Sequence, residues 1–178
     1  MYYLAAAVTV AIVCTVLNLL LTFGVIRKLR EHDSLIAAAA APGPGHSDAT
    51  LPAGATVAAV SATTLDGRAV SSTHADGALL VGFFSPGCQP CEERIGDFLR
   101  YRERTGVAAL AVVVDDGDTG PHVSRLSGQV DVVVEPANGA FGTAFRVTSY
   151  PALCLVDSAG VVLSGGNTFS ELPDLVPA

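Results

Sequence analysis

Cys88 and Cys91 stand three positions apart in the stretch Ser85-Pro86-Gly87-Cys88-Gln89-Pro90-Cys91. Two thiols at this spacing can exchange disulfides, close an inert cross-link, or supply half of a tetrahedral zinc site. The flanking residues separate these chemistries. Leu79-Leu80-Val81-Gly82-Phe83-Phe84 is a short apolar run tipped with aromatics, as a buried strand requires. Beyond the pair, Ile95, Phe98, Leu99 and Arg102 recur at helical spacing, and Glu92, Glu93 and Asp97 gather in the first turns. The cysteines therefore fall where a strand ends and a helix begins. The first N–H groups of a helix have no partner within it and carry the positive end of its dipole, so they stabilise a thiolate. That setting lowers the pKa of the first sulfur and leaves the second one turn away, within reach to close a disulfide. Cys88 is the candidate nucleophile and Cys91 the resolving thiol.

A zinc site would need two more ligands. Cys14 lies far upstream in an apolar stretch, Cys154 falls in a core strand, and no histidine stands at ligand spacing to the pair. The strand-loop-helix setting favours redox chemistry over both zinc and an inert structural disulfide. No metal and no cofactor are expected. Asp115-Asp116-Gly117-Asp118 lacks the later ligand positions and closing Glu of a calcium loop, and reads as a solvated turn.

The chain has 178 residues, a net charge of −7 and a 50% hydrophobic composition. It can bury one core of ordinary size. The acidic balance and the lack of a basic patch with interleaved aromatics exclude nucleic acid as a partner, and four cysteines are too few for a disulfide scaffold.

Tyr2 to Ile26 carries no charged side chain and is long enough for the ~30 Å hydrocarbon core of a bilayer. Tyr2 and Tyr3 suit one interface, and Arg27-Lys28-Leu29-Arg30 closes the other. A cleaved signal peptide would need basic residues in front and a shorter apolar core with a small-residue exit. A lipoprotein site at Cys14 is disfavoured by Val13 before it and by the apolar run beyond. The expectation is an uncleaved single-pass anchor over 1–27, a stalk helix and Pro/Gly linker over 28–50, and one domain over 51–178. His46, in the linker, reads as solvated. The basic cluster follows the helix, so the positive-inside rule alone would leave the domain in the cytoplasm.

Within the domain, Thr56 to Leu65 is rich in Val, Thr and Ala, and Asp66-Gly67 signals a hairpin into Arg68-Ala69-Val70. Gly106 ends the helix after the cysteines. Val107–Val114 reads as a central parallel strand, His122–Leu126 as a short helix, Asp131–Glu135 as a strand, and Asn138–Arg146 as a helix with Phe141 and Phe145 one turn apart. Ala152–Val156 and Val161–Leu163 form a closing hairpin, and Pro173 limits helix between Phe169 and Leu175. The order predicts an α/β fold with a mixed central sheet flanked by helices.

The pairing of C-x-x-C with Tyr150-Pro151 before a strand, in this order of elements, resembles the thioredoxin superfamily. From Pro52 to Gly166 the chain is similar to the membrane-anchored TlpA/ResA-type thiol-disulfide oxidoreductases. The carrying residues are Thr64-Leu65-Asp66-Gly67, Phe83-Phe84-Ser85 and Val147-Thr148-Ser149-Tyr150-Pro151-Ala152-Leu153. The anchor, the Arg/Leu-rich stalk and the Ser-Pro before Cys88 look most like the MauD branch, linked to methylamine dehydrogenase maturation. The resemblance implies a thioredoxin-like domain, a cis Tyr150–Pro151 bond facing the cysteines, and backbone beside it free to pair with an extended client chain. It implies protein clients bearing disulfides or thiols, a membrane thiol carrier as partner, and an extracytoplasmic domain, against the local charge signal. Gln89-Pro90 would tune the reduction potential.

Three positions depart from the family pattern. Thioredoxin's Trp before the first cysteine is Gly87, its buried Asp in the preceding strand is Gly82, and the ResA-type Glu after the second cysteine is Arg94. The proton-handling base is thus unassigned, while an Arg94 guanidinium near the helix start would support a Cys88 thiolate. Glu92 and Glu93 suit dipole complementation. Cys154 lies roughly 10 Å along a strand from Pro151 and reads as core. Two rivals are a peroxiredoxin, with Ser85 in place of its Thr but Val81 in place of its Pro, and a non-enzymatic thioredoxin-fold chaperone or binding module.

Overall fold

The computed structural model describes residues 49–74 and 77–173. The expected anchor over 1–27, with Cys14, and the stalk and linker to position 48, with His46, lie outside the described residues. Among those described, no helix is long and apolar enough to cross a membrane.

The Asp66-Gly67 signal makes the hairpin it predicts. β1 (Ser61–Thr63) pairs antiparallel with β2 (Ala69–Ser71), and Thr63 stands opposite Ala69. Gly67 takes a left-handed φ of 78° at the turn, a conformation open to glycine at no steric cost. The Thr64 Oγ1 accepts from the Arg68 N–H at 3.0 Å, closing the loop from inside.

The main sheet has five strands in the order β5-β4-β3-β6-β7. They are β3 (Leu79–Phe84), β4 (Ala108–Val114), β5 (Asp131–Glu135), β6 (Ala152–Val156) and β7 (Val162–Gly166). β3, β4 and β5 run parallel, whereas β6 is antiparallel to β3, and β7 to β6. Both faces of β3 and β6 are covered, which is why these strands read as continuous apolar runs. On one face Val81, Phe83, Val112 and Cys154 pack with Phe141 and Phe145. On the other, Leu80, Phe84, Ala111 and Leu153 pack with Cys91, Ile95, Phe98 and Leu126.

Helix α1 (Gln89–Thr105) lies on that second face and is stopped by Gly106, whose N–H donates to the Arg102 carbonyl with φ at 68°. Its buried stripe is Cys91, Ile95, Phe98, Tyr101 and Thr105. Tyr101 thus takes the inward position that spacing alone gave to Arg102, which is exposed. The Tyr101 hydroxyl donates to the Pro173 carbonyl at 2.6 Å. α2 (Gly120–Leu126) packs beside α1 on the same face. α3 (Ala140–Ala144) is shorter than the helix expected over 138–146, because Asn138 and Arg146 adopt left-handed φ values of 63° and 51° and bound it. Phe169–Glu171 forms a single 3₁₀ turn, with the Phe169 ring 5.6 Å from that of Tyr101.

Gly82 is required by packing. A Cβ there would stand 2.7 Å from the Phe98 ring and 2.9 Å from the Phe84 ring. Those rings meet edge-on at 5.5 Å and fill the space beneath α1. Gly82→Ala should therefore lower stability by about 1–3 kcal/mol through overpacking, read as a drop in the urea midpoint at unchanged m-value. An unchanged midpoint would refute this packing account.

Candidate active site

The strand register builds the site. Phe83 pairs with Ala152 across antiparallel β3 and β6, so the loop leaving β3 meets the loop entering β6. The first contains Cys88 and the second Tyr150 and Pro151, joined by a cis bond as the resemblance implied. Cys88 Sγ lies 3.7 Å from the Tyr150 carbonyl oxygen, although the residues are 62 apart in sequence.

Gly87, exposed and with φ at 71°, turns the chain into α1. Cys88 is the N-cap, with extended backbone (φ −90°, ψ 100°). Its sulfur accepts from the Cys91 N–H at 3.3 Å, and its carbonyl accepts from Cys91 and Glu92 at 2.9 and 3.3 Å. The unpaired donors of a helix start thus converge on this residue. Cys88 and Cys91 form a disulfide with Cα atoms 5.2 Å apart. The two sulfurs differ in access: Cys88 is half-buried, whereas Cys91 is fully buried among Ile95, Phe98 and Leu153. An incoming thiol or disulfide can reach the first and not the second.

Gln89 and Pro90, between them, are exposed, and Gln89 Nε2 donates to Glu93 at 3.4 Å. Arg94 is drawn away from the pair: its guanidinium bonds Asp97 at 3.0 Å, toward the far end of α1. Pro151 is buried, and Tyr150 packs against the cores on both faces of the sheet. Burial, reinforced by Glu135 and Asp116, pushes the Tyr150 phenol above its ordinary pKa of 10.0 and keeps it neutral.

Cys154 sits on the opposite face of the sheet from Cys91, opposite Val81 and Gly165 in register. Burial pushes its thiol up to about 12, against a smaller lowering by a hydrogen bond with Thr50. It is an inert core residue, as its place in the strand suggested. Among the described residues, no three His, Cys, Asp or Glu side chains come together to hold a metal.

Sequence reasoning passed over two residues at this end of the sheet. Glu135, at the end of β5, is buried and accepts from the N–H groups of Phe141 and Gly142 at 3.0 and 2.7 Å, capping α3 with its carboxylate. Its signal was the pair Gly139 and Gly142, since a Cβ at Gly139 would collide with the Glu135 carboxylate. The second is His122, buried in the first turn of α2.

The fold and this pair define a thioredoxin-like domain. The sequence matches no protein-family model and no curated protein. Among solved structures, the chain is similar to the thioredoxin domain of a thiol-disulfide oxidoreductase from Bacteroides vulgatus, at a TM-score of 0.56 and 18% identity over 68% of this chain and 93% of that one. It is similar to a thiol-disulfide oxidoreductase from Bacteroides fragilis, at 0.57 and 16% over 66% and 94%. A third is StoA from Bacillus subtilis, at 0.52 and 14% over 64% and 90%. At these identities the likeness is one of fold, and it bears out the thioredoxin-like fold expected from the order of elements.

The burial difference between the cysteines is directly measurable. After reduction of the native protein, alkylation near pH 8 should label Cys88 within minutes, while Cys154 is labelled only after denaturation, as mapped by peptide mass spectrometry. Labelling of native Cys154 at the rate of a free thiol would contradict its assignment to the core.

Proposed function

We propose that the chain is a membrane-tethered thiol-disulfide oxidoreductase that exchanges disulfides with protein clients through Cys88 and Cys91. The observation that carries this reading is the unequal pair: an accessible sulfur capping a helix, disulfide-bonded to a buried one, against the Tyr150 carbonyl. The names of the similar structures support it.

In the reductive direction, the Cys88 thiolate attacks one sulfur of a client disulfide, and the other client sulfur leaves with the bond's electron pair and takes a proton. Cys91, losing its proton, then attacks Cys88 Sγ. The second client sulfur leaves as a thiolate, so the client has gained two electrons and the pair has lost two. Oxidation of a client dithiol runs these steps backwards. The Tyr150 carbonyl beside Cys88 is an acceptor for an N–H of an extended client segment, which would hold the scissile disulfide in line. The apolar segment 1–27 serves as anchor, the domain faces the extracytoplasmic side, and a membrane thiol carrier resets the pair.

Insulin reduction by the full chain tests the activity. Cys88→Ser should fall to the uncatalysed background, and Cys91→Ser should accumulate a mixed disulfide at Cys88. Full activity in Cys88→Ser would overturn the mechanism, and inactivity of the wild type in both reduction and oxidation would leave a binding role. For orientation, a C-terminal reporter active only outside the cytoplasm should be active, and a silent one would reverse the assignment.

A further inference from the structure

A reduced pair puts negative charge on Cys88 at the start of α1, and the strand β3 that leads into it carries no carboxylate. Gly82 occupies the strand position, and Arg94 is turned to Asp97. An imidazole, that of His122 at the start of α2, lies instead within electrostatic reach of Glu92 on that turn of helix. Because β4 runs parallel to β3, the chain leaving its C-terminal end reaches the same edge of the sheet as Cys88 and there enters α2. α2 is fastened to α1 by Arg125, whose Nη1 donates to the Glu92 carbonyl at 2.8 Å. Glu92 is the residue after Cys91, and its own N–H bonds the Cys88 carbonyl.

His122 precedes Arg125 by one turn, so the two share a face of α2. It is 3% exposed, and its Nε2 is buried with no hydrogen-bond partner. A histidine kept for packing would ordinarily bond that atom. The charged groups around it are few. Glu92 faces it from α1 and Arg125 from its own helix, and Asp118 caps the Gly120 N–H just ahead. The strand residues on this face, Ala109, Ala111 and Val113 of β4 with Val132 and Val134 of β5, carry no charge. Burial holds the imidazole below its ordinary 6.5, with Glu92 pulling upward and Arg125 downward.

We propose that His122 is the built-in counter-charge of the reduced pair: its buried, unpartnered Nε2 takes up a proton when the Cys88–Cys91 disulfide at the start of α1 is reduced and releases it when the disulfide reforms. The inference rests on the redox reading above and names a positioning residue for it. When a client dithiol reduces the pair, two electrons pass into the Cys88–Cys91 bond and two protons leave the client thiols. One proton goes to Cys91 Sγ and the other resides on His122, leaving the Cys88 thiolate near an imidazolium. Reoxidation returns both protons along with the electrons.

The test is an NMR titration of the His122 Cε1–H in the full chain in detergent micelles, from about pH 5 to about pH 9, in the disulfide and dithiol forms. The signal is assigned by its loss in His122→Asn. The midpoint should be higher in the dithiol form by at least about half a pH unit, the order of shift that one nearby charge produces. By reciprocity the Cys88 thiolate absorbance in His122→Asn should titrate higher by a similar amount. Equal His122 midpoints in the two forms overturn the proposal. The wild-type comparison stands even where the variant folds poorly. Insulin turnover with equal midpoints sinks the counter-charge alone, whereas shifted midpoints without turnover sink the activity and leave the coupling.

Discussion

The antiparallel register between β3 and β6 is the constraint on which the rest depends. Both strands are buried on both faces, so a slip by one residue would exchange the two sets of side chains between faces. At about 1.5–3 kcal/mol for each large apolar side chain buried, displacing Leu80, Val81, Phe83 and Phe84 together would cost an amount comparable with the net stability of an ordinary domain. Gly82 sharpens the choice, because only a residue without a Cβ fits under the Phe98 ring. With the register fixed, the Cys88 loop and the Tyr150-Pro151 loop meet, and residues 62 apart in sequence become neighbours.

The two cysteines share one helical turn yet differ in what surrounds them. Cys88 receives the Cys91 N–H and faces outward, while Cys91 is sealed beneath α1. The donors at the helix start act on Cys88 directly. The guanidinium of Arg94 is spent on Asp97, in a surface pair of the kind worth about 0–1 kcal/mol. On the proposed reading, stabilisation of a Cys88 thiolate therefore rests on the backbone donors of the helix start.

Much of this was legible in the residues. The apolar runs of β3 and β4 declare strands covered on both sides, Asp66-Gly67 its hairpin, and the C-x-x-C its place between strand and helix. What stayed hidden depends on tertiary context. The left-handed Asn138 and Arg146 cut α3 short, although the spacing of Phe141 and Phe145 looks helical across the whole stretch. Tyr101 rather than Arg102 turns inward because the chain near Pro173 offers its hydroxyl a carbonyl. β7 ends in Gly165-Gly166, which no strand propensity favours. A Cβ at Gly165 would strike Thr50, so close approach of the segment before β1 dictates the residue. Glu135 and His122 read as ordinary polar residues until the fold buries them.

Gly87 stands beside the Cys88 sulfur with its side-chain direction open, for a Cβ there would meet nothing within 4 Å. Where thioredoxin has an indole, position 87 offers bare main chain. On the proposed reading, no side chain at position 87 has to be cleared before a disulfide lying flush with the surface of a folded client is brought down onto Cys88. The same openness removes a wall that could tell one visitor from another, and leaves discrimination to main-chain pairing and to the electrostatic character of the surrounding rim.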